Sequence, residues 1–169
     1  MIALLLGCSS NQLSFDDHVP VDIRQVETAL FVESNFSNPP TDGYGLMVLS
    51  SGGVSCDQLI EVDAYGIEWL AEQGEFIDRQ SGLIIELRWM ELGWEGAYLV
   101  GGTLLEDQGT RTSTLYAYQD GDVLGLSTDS GLVHLDVVGE SVLGAVDTLQ
   151  TQARFEARNC GQAPPVGSR

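Results

Sequence analysis

Turn-forming clusters recur through the second half of the chain at intervals of about ten residues, a spacing that leaves room for strands and little else. Glu106-Asp107-Gln108-Gly109, Asp120-Gly121, Thr128-Asp129-Ser130-Gly131 and Gly139-Glu140-Ser141 punctuate short apolar-rich runs. Within the runs, alternation is visible: Leu83, Ile85, Leu87 and Trp89 fall on one face, Glu86 and Arg88 on the other. Asp120-Gly121, between Leu115–Tyr118 and Val123–Leu126, has the composition of a two-residue hairpin turn. Val142–Leu149 and Ala153–Arg158 complete the pattern. The expected fold is mainly β, an antiparallel sandwich or barrel of meander type.

The first half adds two strands and a helix. Val26, Leu30 and Val32 place a first strand within Ile23–Val32, and Tyr44–Leu49 reads as a second. Between them Ser34–Gly43 is dense in turn formers and forms the longest loop. Ser55 is placed to cap a helix, with Asp57 and Gln58 in its first turn. Cys56, Leu59, Ile60, Ile67, Leu70 and Ala71 recur at helical spacing, so one helix is expected over 56–72, stopped by Gly74. Gly66 inside it costs about 1 kcal/mol relative to alanine. A length of 169 residues fits one domain.

Charge excludes one class of partner. Seven arginines and no lysine face 25 acidic residues, a net charge of −18, which repels the phosphates of nucleic acid. The acids are scattered, as on a solvated surface, and a weak divalent-cation site among them is compatible with such a surface.

Met1–Gly7 is apolar but too short for the roughly 20 residues a membrane span needs. Leu5-Leu6-Gly7-Cys8 resembles the lipobox of bacterial lipoproteins, followed at once by polar Ser9-Ser10-Asn11-Gln12. The resemblance implies that the chain is cut before Cys8 and that Cys8 carries a diacylglycerol and an acylated amine, anchoring it to a bilayer. Ser9 after the cysteine implies, in Gram-negative members, sorting to the outer membrane. No Lys or Arg precedes the apolar run, and a start codon placed too late would account for that. The expected organisation is the end of a signal peptide at 1–7, a lipidated cysteine and polar tether at 8–20, one β-rich domain at 21–160, and a disordered tail at 161–169.

Lipidation of Cys8 leaves Cys56 and Cys160 as an even pair in an oxidising compartment, with no metal-ligand spacing around either. A disulfide between them is expected; the alternative is two unlinked buried thiols. The chain also resembles uncharacterised secreted bacterial lipoproteins with an early strand–helix unit carrying a Cys and a β-meander ending in a Phe-x-Ala-x-x-Cys-like motif, here Phe155–Cys160. That likeness implies the same β-rich fold and the same bridge.

Candidates for chemistry are few. His134 and Asp136 share one strand face opposite Val133, Leu135 and Val137, half of a catalytic triad or an exposed polar pair. No Gly-x-Ser-x-Gly elbow, calcium loop or phosphate loop occurs, and Asp120 with Asp122 is explained by a turn. Trp94 and Tyr98 fall on one side of a strand, and Tyr116 and Tyr118 on one side of another. On coincident faces these rings would make an amphipathic surface for a sugar or an envelope protein; otherwise they line the core. The reading is a non-catalytic, membrane-anchored lipoprotein of the envelope without a cofactor, a binding or structural β-domain. Its rivals are an envelope hydrolase built on His134 and Asp136, and a calcium-dependent adhesion or carbohydrate-binding module.

Overall fold

The alternating runs become paired strands in the computed structural model, which describes residues 11–23, 25–34, 42–65, 80–90, 97–100, 104–106, 109–127, 131–138 and 140–162. In chain order the described elements are β1 (Gln12–Phe15), β2 (Thr28–Ser34), β3 (Asp42–Ser50), α1 (Cys56–Tyr65), β4 (Ser81–Met90), β5 (Ala97–Val100) and β6 (Leu104–Glu106). Then follow β7 (Gly109–Gln119), β8 (Asp122–Leu126), β9 (Gly131–Val138), β10 (Ser141–Asp147) and β11 (Thr151–Gln162). All eleven strands join one curled sheet, a half-barrel, in the order β5-β9-β10-β11-β2-β3-β4-β7-β6, with β1 added to β11 and β8 to β7.

The mainly β fold with one helix is therefore as expected, with one departure from a pure antiparallel meander. β11 runs parallel to β2, pairing Arg158 with Leu30 and Asn159 with Phe31. The other described pairings are antiparallel, among them the turns at Glu106/Gly109 and Val138/Ser141. Asp120 and Gly121 both take positive φ, 49° and 92°, the conformation a two-residue hairpin with right-twisted arms requires.

Curling creates an inside. Phe31, Met47, Leu49, Leu83, Ile85, Leu115, Ala117, Val133, Leu135, Val142, Phe155 and Ala157 fill it. The alternate residues of the central strands, Leu30, Val32, Leu46, Val48 and Ile84, are also buried, on the outer face. They need a cover, and α1 supplies it through fully buried Leu59 and partly buried Ile60. The helix starts where a capping box fixes it: the Gln58 N–H donates to Ser55 Oγ at 3.2 Å and the Ser55 N–H to Gln58 Oε1 at 2.9 Å. Its described residues end at Tyr65; the remainder of the expected helix, to Glu72, lies outside the described residues. Cys56, the first helical residue, is joined to Cys160 of β11 by a disulfide, with the Cα atoms 5.5 Å apart.

Three expected boundaries are corrected. The span read as a tether, 8–20, contains β1, whose Leu13 pairs with Ala153 and whose Phe15 pairs with Thr151. The first long strand begins at Thr28 rather than near Ile23. Between these strands the chain crosses one end of the half-barrel and closes it. Val19 and Val26 are buried in the interior cluster, with Val21 and Ile23 packed against it. Backbone groups along the crossing bond to the strand ends: Asp22 N–H donates to Gln119 Oε1, the Asp22 carbonyl accepts from Ser81 Oγ, and Glu27 N–H donates to the Ser50 carbonyl. At the other terminus β11 extends through Gln162, past the expected start of the tail at 161.

Two consequences are measurable. The disulfide closes a separation of 104 residues, so the pair Cys56→Ser, Cys160→Ser is expected to lower unfolding free energy by about 4.7 kcal/mol in the chain-entropy model. Denaturant titration with and without reductant checks this, and equal midpoints would refute it. A chain beginning at Val21 is expected to be less stable than one beginning at Asn11 by about 2 kcal/mol or more, the value of burying a valine alone. Urea midpoints of the two chains decide the matter.

Candidate functional site

The sequence candidates separate in space. Tyr118 was grouped with a surface set, but it is fully buried: it belongs to the outer-face cluster under α1 and packs with Leu30, Val32 and Ile84. Its hydroxyl donates to the Leu49 carbonyl at 3.4 Å. Gly82 makes room for it, since a Cβ there would stand 2.7 Å from the phenolic oxygen and 1.9 Å from the Leu49 carbonyl. Burial pushes the phenol above its ordinary value of 10.0, with a side-chain hydrogen bond to Ser50 acting the other way.

Tyr116, on the same face, is half-buried, and its hydroxyl lies 3.3 Å from Glu86 Oε2. Register pairs Tyr98 with Val133 of the inner face, whereas Tyr116 and Tyr118 belong to the outer face. The side chain of Tyr98 lies outside the described residues. Trp94 lies outside the described residues, as does Cys8.

His134 is exposed on the outer face of β9, in register with Ala97 of β5 and Ala145 of β10. Ala145 beside it is half-buried, and the side chains of Ala97 and of Asp136, the other member of the proposed pair, lie outside the described residues. His18 is also exposed, in the crossing segment beside Asp16. The His18 backbone N–H, followed by its side chain, holds the Asp16 carboxyl below its usual value. An open groove of about 490 Å³ runs along this crossing and is lined by Asp16, Asp17, Asp22 and Gln119 among others. Among the described residues no three His, Cys, Asp or Glu side chains converge as metal ligands. Asp120 is the first residue of the hairpin turn and Asp122, paired with Gln119, follows it.

What the topology does assemble is a continuous open wall. α1 covers the outer face of β2 and β3, but the outer face of β9, β10, β11 and β1 faces solvent. Along β11, Gln152, Arg154, Glu156 and Arg158 are all exposed, alternating with buried Thr151, Ala153, Phe155 and Ala157. Gln12 pairs with Arg154, and Leu143, 44% exposed, pairs with Glu156. The Glu156 carboxylate accepts from Ser141 Oγ at 3.0 Å, and Gln152 Nε2 donates to Asp147 Oδ1 at 3.2 Å. A groove of about 350 Å³ between Gln12, Ser14, Asp147, Gln152 and Arg154 lies on this wall. Sequence reasoning passed over Arg154 and Arg158, although the alternation Ala153-Arg154-Phe155-Glu156-Ala157-Arg158 already sets them on a solvent face.

Comparison with protein-family models, curated proteins and solved structures finds no match.

Tyr118 yields a test of the packing under α1. Because its folded pKa is raised, its contribution is fully present below the unfolded value near 10 and is lost as pH rises beyond it. Tyr118→Phe is expected to cost about 1 kcal/mol at pH 7 and to weaken the loss of stability on going to pH 11. Denaturation midpoints at the two pH values measure both; an unchanged alkaline loss would overturn the assignment.

Proposed function

We propose that this protein is a lipoprotein of the bacterial envelope, anchored through acylated Cys8, with a non-catalytic β-domain that binds or supports another envelope component. The lipobox Leu5-Leu6-Gly7-Cys8 supplies the address. The structural observation that carries the reading is the Cys56–Cys160 disulfide. Such bonds persist in oxidising compartments, and an exported chain whose third cysteine is consumed by lipid has these two left to pair. Ser9 directs the anchored protein to the outer membrane. The partner class is an envelope protein or a carbohydrate, met on the domain's open wall. The exposure of His134, in register with Ala145, supports this reading over a hydrolase.

Cys8→Ser is expected to move the protein from the membrane to the soluble fraction without changing its folded-state spectrum. Intact mass of the native membrane form is expected to begin at an acylated Cys8 and to lack the two hydrogens of a reduced Cys56/Cys160 pair. An unprocessed, water-soluble chain with free thiols would overturn the proposal.

A further inference from the structure

We propose that the open wall of β10, β11 and β1 lies against the bilayer, with Arg154 and Arg158 among the phosphates of phospholipid headgroups. This rests on the anchoring of Cys8 and adds an orientation to it. The domain starts so early that little chain is left to serve as a tether. Asn11 is already fixed: its Oδ1 accepts from the Glu156 N–H at 2.9 Å. From Cys8 to Asn11 is three residue steps, at most about 11 Å when fully extended. A domain of this size has a radius of gyration of about 15 Å. The link is thus shorter than the radius, and the far wall of the domain cannot be turned to the membrane.

The direction of the link follows from the sheet. Past Glu156 the edge of β11 is occupied by β2, beginning at the Leu30–Arg158 pair, and the inner side is filled by Phe155, Ala157 and Phe31. Asn11, the first described residue, therefore lies beside Glu156, between Arg154 and Arg158 along β11. Charge acts in the same sense. The chain carries seven arginines against 25 acids, and two of those arginines are exposed on this strand face. Among the described residues neither has a carboxylate within ion-pair distance. Attraction to anionic headgroups decays over a Debye length of about 8–10 Å, and the short link holds the two guanidinium groups near that range; Glu156 and Asp147 on the same wall balance them, whereas the other 23 acids lie elsewhere on the chain against five arginines.

The test uses full-length lipidated protein in vesicles of phosphatidylethanolamine and phosphatidylglycerol. A nitroxide is placed at Leu143→Cys or at Leu124→Cys, with the native disulfide verified by mass. These positions have similar exposure, 44% and 42%, but Leu124 is on β8, which pairs with β7 and is far from β10 along the strand order. A nickel chelate attached to lipid headgroups is expected to relax the label at 143 several-fold more than the label at 124. Inserting a Gly-Ser spacer of about 20 residues after Ser10, with an r.m.s. span of about 25 Å, is expected to remove most of that difference while vesicle binding persists. The pair Arg154→Gln, Arg158→Gln is expected to shrink the difference in these vesicles and not in phosphatidylcholine alone. Equal relaxation at 143 and 124 in protein that floats with the vesicles would overturn the orientation and leave anchoring intact. Protein that fails to float for want of an acyl group would overturn both. A difference indifferent to the arginine pair would overturn the role given to those side chains.

Discussion

The central strands bury side chains on both faces, and the rest of the architecture answers that demand. In β2, Phe31 points to the interior while Leu30 and Val32 point outward; in β3, Met47 and Leu49 oppose Leu46 and Val48. A flat sheet would leave one of these sets in water, and each such side chain is worth about 1.5–3 kcal/mol on burial. Curling the sheet satisfies the first set. The second needs a separate element, and among the described residues α1 provides it, held by the Ser55–Gln58 box at its start and by Cys56 to the last strand. The disulfide thus joins the cover to β11, the strand whose parallel pairing to β2 brings the two antiparallel halves of the sheet together.

A curled sheet also has open ends. One of them is closed by the crossing from β1 to β2, which must be apolar toward the interior and hydrogen-bonded along its backbone. Val19, Val21, Ile23 and Val26 meet the first need; the bonds to Gln119, Ser81 and Ser50 meet the second. An irregular stretch with one side against the core is tolerable on those terms because polar groups of its backbone are paired by the strand ends it passes.

How much of this was legible in the sequence depended on the range of the interaction responsible. The Asp120-Gly121 turn, the helix cap at Ser55 and the alternation of β4 and β11 are set by neighbours a few residues apart, and each was visible. The crossing segment was not: Val19, Val21 and Ile23 alternate as in a strand, but the run is short, is interrupted by Pro20 and loses its period before Val26. The parallel pairing of β2 with β11 joins residues more than a hundred positions apart, which no local pattern records. The choice between surface and core for Tyr118, which the structure decides for the core, was open for a related reason. β7 alternates Ser113, Leu115 and Ala117 with Thr114, Tyr116 and Tyr118, so either face looks half-apolar until α1 is known to cover one of them. As for the candidate site, charged residues on β11 were readable as solvent-facing, but which strands adjoin them was not.

The same asymmetry separates the two walls of the domain by what each is free to do. The wall under α1 is committed to stability: its tyrosine hydroxyl is turned to a backbone carbonyl and its close-packed Gly82 admits no larger residue. The wall of β9, β10, β11 and β1 is held from the inside alone, by Val133, Leu135, Val142, Val146, Phe155 and Ala157, so its outer residues vary at small cost to the fold. Surface that the core does not constrain is where partner contacts can be fitted. It is also the wall that begins with Gln12, at the end of the chain nearest the proposed anchor. On the proposed orientation the strands next to the link are the first to be covered by lipid, which leaves the part of that wall furthest from Asn11, toward His134 of β9, for the proposed partner.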